Sequence, residues 1–166
     1  MTGESEWAIV TMPMTSILFV CLGNICRSPL AEAAFRQAAE AAGLAVEVDS
    51  AGTGEWHVGA APDRRAQAVA LRHGIDISGY RARQVSRADF TRFDAIVALD
   101  PRNLHVLREL APAGATARLS LLLDHVAGRE GEGVADPYYG DEAGFEESWA
   151  EVSAGAAGLV RALTGD

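Results

Sequence analysis

Two cysteines, an arginine, a serine and a proline fall together in CLGNICRSP, residues 21–29, and Cys21 and Cys26 are the only thiols in the chain. A structural clip, a metal site and a nucleophile would each account for thiols placed this way. Two cysteines are too few for a disulfide framework, and too few for a structural zinc site without nearby histidines. The chemistry of a nucleophile depends on what surrounds it. If this loop meets a helix start, the free backbone N–H groups and the helix dipole make an anion cradle. Gly23 and Asn24 are residue types that tolerate unusual backbone angles there. Arg27 adds a planar fork of donors suited to two oxygens of a phosphate. The same field favours a thiolate inside the loop. A nucleophile, an oxyanion cradle and a fixed cation are what attack on a phosphate ester requires.

The flanking elements supply that setting. Residues 17–20, ILFV, form a continuous apolar run of strand length, as expected for a strand covered on both faces. Ser28–Pro29 reads as a helix start, with Ser28 as cap, and Leu30, Ala34, Ala38 and Ala41 recur at helical spacing until Gly43. LAVEVDS, residues 44–50, reads as a second strand and AGTGEWHVGAAP as a loop. A helix follows over 63–73, closed by Gly74. FDAIVAL, residues 93–99, is the third strand, and Asp100–Pro101 opens another helix. ARLSLLL, residues 117–123, is the fourth strand. After a loop over 124–144, Phe145, Trp149, Val152, Ala156, Leu159 and Leu163 mark a last amphipathic helix. Alternating strands and helices predict one α/β domain, a parallel sheet with helices on both faces, and a ligand site beyond the carboxyl ends of the strands.

Composition narrows the function. The 166 residues are enough for one domain with a sizeable core. The formal net charge of −9 argues against nucleic acid or an anionic membrane as partner. All 14 basic residues are arginine, so a lysine Schiff base or a Walker-type phosphate loop is excluded. No apolar run reaches membrane-span length. Residues 1–15 read as a flexible leader rather than a signal peptide, because acids precede the apolar part and Pro13 interrupts it. Free cysteines suit a reducing, cytoplasmic setting.

VCLGNICRSP closely resembles the signature loop of the low-molecular-weight protein tyrosine phosphatases. The resemblance runs from about residue 16 to the end, and includes VDSAGTGEWHVG (48–59), RHGIDISGYRARQV (72–85), FDAIVALD (93–100) and DPYYGD (136–141). It implies a flavodoxin-like, four-stranded parallel sheet and hydrolysis of phosphotyrosine. By this resemblance Cys21 is the nucleophile that becomes a cysteinyl-phosphate. Arg27 binds the equatorial oxygens, and Ser28 supports the thiolate as leaving group. Asp136 serves first as acid and then as base. Leu22, Gly23, Ile25 and Cys26 complete the phosphate loop, and Asn24 holds its shape with help from Ser50 and His73. Trp56 and Tyr138, with Tyr139 beside them, wall the cleft for the phosphotyrosine ring. The resemblance implies no metal and no cofactor, and a monomer acting on phosphotyrosine proteins, a tyrosine kinase among the candidates. The segments and the lysine-free, alanine- and arginine-rich composition look most like bacterial members of the actinobacterial kind.

Competing readings remain at the sequence level. Arsenate reductases of one class share the fold and loop but need further cysteines after the second helix, and residues 74–92 contain none. A phosphoarginine phosphatase would use the same loop. A catalytically idle phosphotyrosine-binding protein would lack the thiol, the arginine or the acid, and all three are present. A Cys21–Cys26 redox pair is compatible with the phosphatase. Asp63, Asp100 and the acids around Glu146 read as helix caps and solvated faces, and His57 receives no role.

Overall fold

The computed structural model describes residues 15–165. The expected leader therefore lies outside the described residues, except Thr15, which opens the first strand. Strand β1 (Thr15–Cys21) is followed by α1 (Arg27–Ala41), β2 (Val46–Gly52), α2 (Arg64–Arg72) and the short α3 (Asp89–Arg92). Then come β3 (Ala95–Ala98), α4 (Pro101–Leu110), β4 (Arg118–Leu121), a 3-10 turn (Leu122–His125) and α5 (Glu142–Thr164).

The sheet order is β2-β1-β3-β4, and every neighbouring pair is parallel. β1 is therefore central, with Ile17 opposite Val48 on one side and Ala95 on the other. Its residues Ile17 to Val20 are fully buried, which explains why the run is apolar without alternation. Alternate side chains serve different cores. Ile17 and Phe19 pack with Leu30 and Phe35 of α1 and with Phe145, Trp149 and Val152 of α5. Leu18 and Val20 pack with Phe90, Phe93, Leu104 and Leu107 on the opposite face. The predicted four parallel strands and two-sided helices are observed.

Boundaries differ where tertiary packing decides them. The predicted fourth strand over 117–123 is shorter, because Leu122 and Leu123 turn into the 3-10 segment that packs under α5. The last helix begins earlier than Phe145, at Glu142, because Asp141 caps it by accepting from the Gly144 N–H. Asp63 and Asp100 cap α2 and α4 as expected. Ser28 does not cap α1. The helix starts one residue before it, and its hydroxyl turns toward Cys21 instead.

Candidate active site

β1 runs straight into the thiol: Cys21 is its last residue, and α1 begins at Arg27. The intervening loop wraps the N-terminus of α1. The backbone N–H groups of Leu22, Gly23, Ile25 and Cys26 have no acceptor among the described residues, so the loop presents a ring of unused donors. Asn24 gives the loop its bend. It has φ 58°, the only positive φ outside glycine among the described residues. Three side-chain hydrogen bonds hold it there. Its Nδ2 donates to Ser28 Oγ at 2.8 Å and to Ser50 Oγ at 3.0 Å, and its Oδ1 accepts from the Arg83 backbone N–H at 2.9 Å. Ser50 in turn donates to the buried Glu32 at 2.8 Å. Burial, the largest influence, holds the Glu32 carboxyl above its usual range against the bonds from Arg36 and Ser50.

The sulfur is the focus of these contacts. Ser28 Oγ lies 3.0 Å from Cys21 Sγ. Because that oxygen already accepts from Asn24, its own proton is free to point at the sulfur. The Asn24 N–H also reaches Cys21 Sγ, at 3.3 Å. Two donors on one sulfur suit an anionic acceptor. Gly23 has no positive φ; a Cβ added there would stand 3.1 Å from the His57 ring. Gly52, at the end of β2, has a steric role that the sequence reading did not assign. A Cβ there would come within 2.7 Å of the Leu22 carbonyl oxygen.

Arg27 is almost fully buried and sits between two carboxylates. Its Nη1 donates to Asp100 Oδ2 at 2.6 Å and to the Val134 carbonyl at 3.0 Å, and its Nη2 is 3.6 Å from Asp136 Oδ2. Burial lowers the guanidinium pKa, but Cys21, Asp100 and Asp136 outweigh it and the net shift is upward. A cleft of about 260 Å³ opens over this group. Cys21, Leu22, Gly23, Ile25, Cys26 and Arg27 form its floor; Trp56, His57, Asp136, Tyr138 and Tyr139 form its walls. Asn24, Ser28 and Ser50 stand behind the floor as supports. No group of three or more His, Cys, Asp or Glu among the described residues is arranged to hold a metal ion.

Residues 16–166 match the family model of the low molecular weight phosphotyrosine protein phosphatases. The chain belongs to that family. The phosphatase is 48% identical over 153 residues to a low molecular weight protein-tyrosine-phosphatase of Streptomyces coelicolor, covering 89% of this chain and 92% of the relative. The crystal structure of YfkJ from Bacillus subtilis superposes with a TM-score of 0.86 at 42% identity, covering 93% of this chain and 98% of that one. A Drosophila arginine phosphatase superposes with a TM-score of 0.85 at 32% identity, covering 90% and 98% respectively. The family makes the phosphatase a hydrolase of phosphotyrosine proteins.

One expected support falls elsewhere in the phosphatase. His73 does not reach Asn24. It bonds Glu146 Oε1 at 3.0 Å and stacks on Trp149, with ring centroids 4.9 Å apart. It lies at the C-terminal end of α2, while the N-terminal end touches the loop through Asp63 N–H to Ile25 O at 2.8 Å. Nine helical residues separate these ends by roughly 13 Å. The Arg83 backbone supplies the remaining bond to Asn24. Two site residues carried no signal of their own. Asp100 caps α4 with Oδ1 and holds Arg27 with Oδ2, so one carboxylate does both. Its place after β3, the strand beside β1, is the clue that brings it there. His57 lines the cleft next to Trp56.

Proposed function

We propose that the phosphatase cleaves phosphotyrosine in two steps on the residues of this cleft. The Cys21 thiolate attacks phosphorus, forming an S–P bond as the P–O bond to the tyrosine ring breaks. The Asp136 carboxyl gives its proton to the departing phenolate oxygen. Asp136, now a carboxylate, takes a proton from water, whose oxygen attacks the cysteinyl-phosphate. The S–P bond breaks, inorganic phosphate leaves, and Ser28 donates a hydrogen bond to the returning thiolate. Loop N–H groups and Arg27 hold the three equatorial oxygens throughout.

The observation that carries this reading is the depth and order of the cleft. Cys21 is 3% exposed, Asp136 stands beside the Arg27 guanidinium, and Trp56, 70% exposed, lines the same cleft as Tyr138. A flat ring between those walls is expected to reach the floor, and the shorter arm of phosphoserine to fall short of it. A phosphoarginine substrate is the second reading, and the likeness to an arginine phosphatase gives it its weight. Two free thiols suit a reducing cytoplasm; the relatives are named protein-tyrosine-phosphatases, and phosphotyrosine proteins, with a tyrosine kinase as one candidate, are the targets of this reading.

The test is a leaving-group series. Cys21→Ser should lose all turnover, because a serine hydroxyl does not ionise near neutral pH. Asp136→Ala should lose about 10²–10⁴-fold on phenyl phosphate and phosphotyrosine peptides, and far less on p-nitrophenyl phosphate, whose leaving group needs little protonation. Equal losses on both esters would remove Asp136 from the role of acid. Higher kcat/KM on a phosphoarginine peptide than on its phosphotyrosine counterpart would replace the substrate reading.

A further inference from the structure

The acid-bearing segment 136–141 is a loop, yet a general acid works only when it is held in place. Asp136 gets its orientation from this loop: its Oδ1 accepts from the Tyr138 backbone N–H at 3.1 Å. The Arg27 contact is longer, at 3.6 Å. Gly140 N–H to Pro137 O closes the turn internally. Among the described residues, one side chain from outside the segment 136–141 hydrogen-bonds to it. Arg65 Nη2 donates to the Tyr138 carbonyl at 2.8 Å, and Nη1 donates to the Gly140 carbonyl at 2.9 Å.

Arg65 is itself anchored, although its side chain is 35% exposed. Asp63 accepts from its Nε and Nη2, both at 3.0 Å, and from its backbone N–H at 2.8 Å. Its guanidinium lies over the Phe145 ring at 4.6 Å and beside Tyr138 at 5.9 Å. Asp63, through its own N–H, bonds Ile25 in the phosphate loop. A continuous strap thus runs from Ile25 through Asp63 and Arg65 to the Tyr138 backbone and Asp136.

We propose that Arg65 is a positioning residue for the general acid: its fork sets the height of the 137–140 backbone over the phosphate loop and so the reach of Asp136 to the leaving-group oxygen. The proposal rests on Asp136 being the acid. A lysine could satisfy one carbonyl but not both carbonyls and Asp63 together, because it lacks the planar fork.

Arg65→Ala and Arg65→Lys, each made in the parent and in Asp136→Ala, separate the two claims. In the parent background, kcat on phenyl phosphate should fall by about tenfold for Arg65→Ala and less for Arg65→Lys, as expected for an acid displaced by part of an ångström. With p-nitrophenyl phosphate the loss should be no more than about twofold. On the Asp136→Ala background neither change should cost anything further. Melting curves fix a common temperature at which all variants are folded; should Arg65→Ala be unfolded there, Arg65→Lys carries the comparison alone. Equal losses on both esters, or losses that multiply with Asp136→Ala, overturn the strap. If Asp136→Ala itself shows no leaving-group dependence, the acid assignment fails instead, and the Arg65 proposal with it.

Discussion

At the scale of single residues, Cys26 shows how much burial changes a thiol. It shares the loop with Cys21, but burial, then the charges of Asp63, Cys21 and Asp136, push its thiol well above the ordinary range. A native thiol with a raised pKa keeps its proton, so it stabilises the fold below the unfolded value of about 9.0 and that contribution is lost as pH rises above it. Brief iodoacetamide treatment at pH 7.5 should therefore label Cys21 and spare Cys26, as peptide mapping would show. Labelling of both at equal rates would contradict the burial argument. Under peroxide, Cys26 should still trap oxidised Cys21 as a disulfide, but faster as pH rises, because only the thiolate attacks. Much of this site was legible. The pairing of Cys21 with Arg27 and the position of Asp136 depend on one loop each, and loops carry their turn chemistry in their own residues. Asp100, Arg65 and Glu32 were not legible in these roles, because each acts through a partner more than 15 positions away and looks locally like a cap or a solvated charge. His73 was misplaced for the converse reason: the length of α2, rather than residue type, keeps it from the loop.

At the scale of elements, the parallel strands deliver the site, and their fit is tight where β2 passes the phosphate loop. Gly52 N–H donates to Arg83 O, and its carbonyl accepts from Val85 N–H, so the strand cannot retreat without breaking both bonds. Gly52→Ala would press a methyl group on the Leu22 carbonyl. We expect a destabilisation of about 1–3 kcal/mol, as for other overpacked sites, measured by urea titration. The same variant should lose kcat on p-nitrophenyl phosphate, since the loop N–H groups shift with Leu22. Unchanged kcat would mean that the loop position tolerates the strain. Strand and helix types were readable along the chain because apolar runs and helical spacing are local. The short helix Asp89–Arg92 and the end of β4 were missed. Four residues give too little periodicity, and Leu122–Leu123 leave the sheet only because α5 offers a better place to pack.

At the scale of the whole molecule, α5 completes the core that β1 and α1 begin. Phe145, Val152 and Ala156 are at most 1% exposed against that face. Removal of residues 142–166 would bare it, at a cost of about 1.5–3 kcal/mol for each large apolar side chain, more than a domain of this size holds in reserve. The truncated chain should show no cooperative melt by circular dichroism; a sharp transition would refute this dependence. The order of the chain then has a bearing on birth as well as on catalysis. Cys21 and Arg27 belong to the first strand–helix unit, whereas Asp100, Asp136 and α5 follow far later in the sequence. At ordinary rates of translation, Cys21 leaves the ribosome on the order of 10 s before Asp136. A nascent chain in that interval carries the thiol without Asp100 and Asp136, the two carboxylates that flank Arg27 in the folded protein. On the proposed roles, a chain that has not yet added Asp136 and α5 to the fold is expected to show no turnover.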